Sequence, residues 1–486
     1  MSSGHAQDEA ANATQERLLA PAYRRATLGI VVLTSLVAFE SMAVATAMPI
    51  AATQLDALSW YALAFASTLA ASAVGIAIAG IWSDARGPSA PTWCAIGALV
   101  LGSALAGLAD HLTLLLVGRV VQGLAVGAIG VTLYVLAASS YPASMHGRVL
   151  SAMSTAWVLP ALIGPAISGL IVGTLGWRWV FLLVALASAP AAMLLAPILK
   201  SSEARRGQLA PRAGSRVGWS IVAAGGLALT HASGHSAGAS SQALSLVMGL
   251  GLLALGARAL LPAGTLRLAR GLPSVVAVRA LAAAAFFSAE AFVPLLLIER
   301  YAFSAGLAGL SLTGAALGWA SGAHWYSRGR QERDPRGVLH LGAFIMFTGL
   351  LLIVAVLAFA LPPTLVIVAW SIMGLGIGMQ RPALGVLLIR LAPPGAIGAS
   401  ASALQMGDAI AIAATLAITG GAFAALHDTT AGLAYGLVFA VSMGLLAIAA
   451  VGAERVLAPR GTRKSRSPSV TGADSKIPSD QALPGR

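Results

Sequence analysis

The sequence predicts an all-α integral membrane protein of about fourteen transmembrane helices, grouped six, two and six, with both termini cytoplasmic. Three observations lead there. Of the 486 residues, 58% are hydrophobic and only 10% are charged, whereas a soluble domain carries about 25% charged residues. So few charges cannot cover a soluble protein of this size, which excludes a cytosolic enzyme, a secreted disulfide scaffold and a disordered chain. Apolar runs of spanning length recur along the chain, since a ~30 Å hydrocarbon core takes ~20 residues at 1.5 Å each. The cations then fall almost all on one side when the spans are counted through.

Residues 1–25 are polar and hold no apolar core of a signal peptide, so they are expected to form a cytoplasmic tail. The first half, 26–199, divides into spans at 26–50, 59–81, 92–109, 112–136, 149–175 and 178–199. Residues 200–273 hold a basic loop (200–216), two spans (217–234 and 242–261) and an amphipathic connector (262–273). The first of these two spans is short and contains His231, and the Ser/Gly-rich turn after it carries His235. Without that hairpin twelve spans would remain, with the same parity. The second half, 274–458, gives spans at 274–297, 304–325, 337–360, 364–386, 400–424 and 430–452. Residues 459–486 are rich in Ser, Pro, Lys and Arg and are expected to be disordered.

With the N-terminus placed inside, Arg24, Arg86, Arg148, Lys200, Arg216, Arg267, Arg328, Arg390 and Arg455 all fall on the cytoplasmic side. Only Arg178 and Arg300 fall outside. The net charge of +13 therefore records topology and not a nucleic-acid footprint. The single cysteine, Cys94, allows no intrachain disulfide and no thiolate metal site. No Gly-x-x-x-x-Gly-Lys-Ser/Thr loop is present, so direct ATP drive is not expected, nor is any metal or other cofactor.

Four motifs follow one another in the expected spans. After span 2 the chain reads Gly80-Ile-Trp-Ser-Asp84-Ala-Arg86-Gly87-Pro88. Span 4 holds Arg119-Val-Val-Gln122-Gly123, and span 5 holds Gly164-Pro165-Ala-Ile-Ser168-Gly169. Span 1 carries Phe39-Glu40-Ser41-Met42-Ala43-Val44-Ala45-Thr46-Ala47-Met48-Pro49, and Trp60 opens span 2. The first resembles the major facilitator signature Gly-x-x-x-Asp-Arg-x-Gly-Arg-Arg, with Ala85, Pro88 and Ser89 in place of its basic residues. The others resemble that superfamily's Arg-x-x-Gln-Gly, its antiporter signature Gly-x-x-x-Gly-Pro-x-x-Gly-Gly, and the span 1 motif of fourteen-helix drug:proton antiporters. Gly322, Tyr326, Gly329 and Arg330 form a degenerate echo of the first motif in the second half.

The resemblance implies a major facilitator fold in which two six-helix halves alternate access to a central site. In it, Gly80, Asp84, Arg86 and Gly87 would form the gating loop, either weakened by its missing cations or supplied with them from elsewhere, as by Arg86 or Arg148. Gly164, Pro165 and Gly169 would form the antiporter motif, where small residues admit a neighbouring helix and proline bends the chain. Ordinary tight-turn and packing roles are the alternatives for both.

Three acids fall within spans: Glu40, Glu290 and Asp408. A charge at the bilayer centre costs ~2.5–3.5 kcal/mol on insertion scales, so these acids, with Arg119, are candidates for proton coupling and substrate binding. The alternatives are a structural hydrogen bond for each acid and snorkelling to the outer interface for Arg119. Gln380 and Arg381, after the glycine run of span 12, are further polar candidates, with snorkelling to the inner interface the alternative for Arg381. The expected function is a proton-coupled exporter of lipophilic, cationic or neutral small molecules, of the multidrug efflux type, in a bacterial cytoplasmic membrane. Its expected partners are that substrate, protons and membrane lipids; nucleic acid is not expected, and the chain is read as a monomer without enzymatic activity. A lipid or metabolite exporter of the same fold is the first alternative, and an integral-membrane enzyme the second.

Overall fold

The computed structural model describes residues 18–55, 61–201, 213–233, 238–303, 305–328 and 334–457. Residues 1–17 of the expected N-terminal tail, the whole expected C-terminal tail, Trp60, His235, most of the basic loop, and Gly329 and Arg330 lie outside the described residues, as does the side chain of His231. The described residues form fifteen α-helices. The first seven are α1 (Arg24–Gln54), α2 (Tyr61–Arg86), α3 (Ser89–Gly107), α4 (Leu112–Ser140), α5 (His146–Thr155), α6 (Val158–Thr174) and α7 (Arg178–Ser201). Next come α8 (Ala213–Ser233) and α9 (Ala239–Leu260). The last six are α10 (Leu272–Glu290), α11 (Val293–Glu299), α12 (Ala305–Arg328), α13 (Pro335–Phe359), α14 (Thr364–Leu391) and α15 (Ile397–Ala453).

Eleven stretches are long and apolar enough to cross a membrane, or twelve when the bent segment Ala143–Thr174 is taken as one span. Two more helices of comparable length, α8 and α12, are less apolar. The chain is thus an all-helical, multi-pass membrane protein.

Local chemistry sets the breaks. Gly87 turns the chain between α2 and α3 at φ +77°, a conformation that suits a residue without Cβ. Asp334 caps α13 by accepting from the Arg336 amide at 3.1 Å, with Pro335 in the first turn. The fifth span bends by 45° between Gly164 and Ile167, around Pro165. The ninth span breaks at Ala291 and Phe292, because Pro294 has no amide to give the Glu290 carbonyl.

α15 contains both last spans. Gly407 packs beside Val276 and Gly452 beside Val278, both on α10. A straight helix would hold those glycines ~68 Å apart at 1.5 Å per residue. The chain therefore folds back within α15, and the Phe423 and Tyr435 rings meet at 4.9 Å.

The two halves repeat one packing pattern. α4 lies against α2 and α3 as α14 lies against α12 and α13, and α1 meets α7 as α10 meets the end of α15. Lipid is as apolar as Leu, so close backbone approach supplies much of the contact. A Cβ on Gly102 would come within 2.6 Å of the Gln122 amide nitrogen. The α8–α9 pair packs against α2 and α15, one helix from each half.

One end of the bundle gathers arginines: Arg216 reaches the Ala399 carbonyl, Arg455 reaches the Arg267 carbonyl, and Arg336 lies 4.0 Å from Glu454. At this Arg-rich end the apolar core crosses between halves. Ile76 and Val131 share a cluster with Leu384, Leu387 and Leu404, and Leu150 packs with Val386. At the opposite end each half has its own cluster: Met48, Leu115 and Phe181 in one, Phe286, Trp370 and Phe439 in the other. The halves are therefore joined at the Arg-rich end and separate towards the other.

Candidate functional site

Arg119 of α4 is not snorkelling. Its guanidinium donates to Glu40 of α1 at 2.5 Å, with the two side chains 5% and 2% exposed. It also donates to the Gln122 side-chain oxygen at 2.8 Å, and the Gln122 amide donates to Ser103 of α3 at 2.8 Å. The spacing Arg-x-x-Gln puts both side chains on one face of α4. A charge that would be costly alone in this setting is thus matched by an opposite one and held by neutral polar groups.

The second half has its own buried cluster. Asp408 of α15 accepts from Arg279 of α10 at 3.0 Å and from Arg381 of α14 at 3.1 Å. Both bonds go to the same carboxylate oxygen; the other, Oδ1, is buried without a hydrogen-bond partner among the described residues. Arg279 also donates to the Tyr134 hydroxyl of α4, at 2.6 Å, so the cluster spans the two halves. Arg381 sits over the rings of Phe287 and Trp319, 5.6 and 5.3 Å from their centroids.

The structure places Arg381, one of the polar candidates, beside Asp408 inside the bundle, so its snorkelling alternative does not hold. It also adds Arg279 and Tyr134, which sequence reasoning missed. The signal for Arg279 was available: a cation within an apolar run deserves the attention given to an acid there. Tyr134 carries no comparable signal, because a tyrosine in a span is most often packing.

Glu290 lies apart. It ends α10 at the proline break and is half-buried, and among the described residues no hydrogen bond or ion pair reaches it. One helical turn back, Phe287 packs on Trp319.

The gating loop makes a latch between the halves. Asp84 accepts from the backbone amides of Gly398 and Ala399, both at 2.7 Å, so it caps the N-terminus of α15. The cation acting on Asp84 is Arg216, not Arg86 or Arg148; Arg86 is exposed at the end of α2. Gly80 lets the helices close, since a Cβ there would lie 2.7 Å from the Ser402 Cβ. Just past the end of α4, burial pushes the Tyr141 hydroxyl, hydrogen-bonded to Thr27, up to about 12.

In the antiporter motif, Gly164 faces Phe39 and Met42 at ordinary contact distance, and a Cβ on Gly169 would meet nothing within 4 Å. Ser168 donates to the Ala43 carbonyl at 2.8 Å, tying α6 to α1. The Pro165 side chain lies outside the described residues.

Two pseudo-repeated helical halves, with an ion-paired cluster where they meet, form the frame of a multi-pass membrane transporter. Residues 30–416 match the Major Facilitator Superfamily, and the chain belongs to that family. An uncharacterized MFS-type transporter of Mycobacterium tuberculosis is 30% identical over 165 residues, which is 34% of this chain and 24% of that one. Multidrug resistance protein 3 of Bacillus subtilis is 27% identical over 154 residues, or 32% of this chain and 30% of that one. The chain thus spans about a quarter to a third of the length of these curated relatives. The crystallised proton:xylose symporter XylE has the same fold, with a TM-score of 0.61 at 14% identity, covering 88% of this chain and 94% of that one.

Proposed function

We propose that this transporter is a proton-coupled exporter of lipophilic small molecules, working by alternating access. In this reading it crosses a bacterial cytoplasmic membrane fourteen times, as a monomer, with its Arg-rich end and both termini inside. The observation that carries it is the buried Glu40–Arg119 pair. A proton delivered to Glu40 removes the negative member of that pair and leaves Arg119 uncompensated, which favours a rearrangement of α1 against α4. Asp408 has an unoccupied buried oxygen at which a second proton could be held. Glu290, which has no cation beside it among the described residues, is a third such position. The positive-inside distribution of arginines supports the orientation. The name of the Bacillus subtilis relative supports drugs as cargo.

The test uses proteoliposomes loaded with a pH-sensitive dye. Addition of a transported compound should move protons in the wild type. With Glu40→Gln, the compound should exchange without proton movement or not move at all. Unchanged proton movement in that variant overturns the coupling role of Glu40.

Export of a lipid or self-made metabolite is a second reading. It is favoured by the connector at the Arg-rich end, where Leu266 is 73% exposed beside Arg267. That arrangement suits a surface lying among anionic headgroups.

A further inference from the structure

The buried charges of the second half do not balance. Asp408 is shared by Arg279 and Arg381, and among the described residues the charged or titratable groups acting on Arg381 are Asp408, Arg279 and Tyr134. Two guanidinium groups against one carboxylate and a neutral phenol leave one positive charge in surplus. That charge lies in surroundings where an unmatched ion is costly. In the first half, by contrast, Glu40 and Arg119 match one to one.

The hydrogen-bond inventory leans the same way. Gln405 lies one helical turn before Asp408 on α15, and its side chain meets Gly130 of α4, one turn before Tyr134. Its amide nitrogen is buried with no acceptor among the described residues. The indole nitrogen of Trp319, whose ring lies under Arg381, is also buried without an acceptor. An N–H group in that position forgoes its hydrogen bond unless a ligand or water supplies one. Arg381 and Asp408 remain 17% and 12% exposed, at a seam closed on the Arg-rich side and separating towards the other.

We propose that Arg279, Arg381 and Gln405 bind the anionic head of an amphiphilic substrate, such as a carboxylate, with Phe287 and Trp319 flanking its apolar body. This deepens the transporter reading, on which it rests for the seam being a substrate path. It also departs from the cationic or neutral cargo expected from the sequence. Asp408 holds the two guanidinium groups together and lowers their joint charge, so it acts as a positioning residue that competes with the ligand.

The test is binding to the purified full chain in nanodiscs, corrected with empty nanodiscs and run without a proton gradient. The probes share one body: 1-naphthylacetate, 1-naphthylacetamide and 1-naphthylmethylammonium. The carboxylate should bind about tenfold more tightly than the amide, the scale of a charge-assisted hydrogen bond, with the ammonium weakest. Arg381→Gln should abolish that preference with the amide's affinity retained, and Arg381→Lys should keep most of it. Asp408→Asn should strengthen carboxylate binding, which a purely structural ion pair would not do. Arg336→Gln, on the surface, should leave the preference intact.

Equal binding of carboxylate and amide, an unchanged preference in Arg381→Gln, or no gain in Asp408→Asn overturns the proposal. If Arg381→Gln does not fold, the wild-type comparison and Asp408→Asn decide. A charge preference without proton movement in proteoliposomes would sink the coupling reading alone, and proton movement without a charge preference would sink this one alone.

Discussion

Glu40 and Arg119 are 79 residues apart in sequence, and their side chains meet at 2.5 Å across α1 and α4. Removing one member of a buried pair costs about 3–5 kcal/mol because the other is left uncompensated. Glu40→Ala should therefore melt at a clearly lower temperature than the wild type. Glu40→Ala with Arg119→Ala should recover part of that loss. Purified variants in one detergent, compared by tryptophan-fluorescence melting, check this. A double variant as unstable as the sum of the singles would show that the two groups do not act as a unit.

Asp84 and the α15 amides hold the Arg-rich end shut. Losing a charged cap costs about 1–2 kcal/mol, or roughly tenfold in an equilibrium. Asp84→Ala should accordingly shift the population towards a state open at that end. Distances between spin labels on Arg86→Cys and Pro394→Cys, both at exposed positions, in a Cys94→Ser background, should lengthen. A distribution matching the parent's would remove the latch role.

The glycines should separate by location. Gly80→Ala places a Cβ 2.7 Å from Ser402 across the two halves, so it should act like Asp84→Ala. Gly127→Ala would drive its Cβ into the Ser72 backbone within one half, so it should lower melting temperature instead. Gly169→Ala meets nothing within 4 Å and should leave the melting temperature unchanged. Any loss of transport in Gly169→Ala would then report on another conformation of the cycle.

If an anion leaves as one proton enters, two positive charges move inwards per cycle. Each is worth ~2.3 kcal/mol per 100 mV. An inside-negative membrane potential set with potassium and valinomycin should accelerate 1-naphthylacetate export well beyond 1-naphthylacetamide export. Equal acceleration of the two compounds would exclude this exchange.

The fourteen-span reading predicts that the turn before α9 lies outside. Ser240→Cys in a Cys94→Ser background should react with a membrane-impermeant maleimide added to intact cells. Protection of that residue until the cells are opened would reduce the count to twelve.

Much of the architecture was legible in one dimension. Hydropathy marks eleven or twelve spans among the described residues because the bilayer imposes a fixed length on each, and arginine placement is a property of loops. Proline bends at Pro165 and Pro294 follow from local backbone chemistry. Glu40, Glu290, Asp408 and Arg119 stand out in the sequence as groups that a membrane excludes unless they are matched, and Asp84 stands out by its motif. Their partners were not legible, because a sequence does not state how each helix is turned about its axis. Only packing brings Arg279 to Asp408 across 129 residues, places Arg216 rather than Arg86 beside Asp84, and joins Arg279 to Tyr134 of the other half. Span positions and charge placement are fixed by the bilayer acting on short segments of chain. Which charges pair, and which one stays in surplus, depends on contacts between helices distant in sequence.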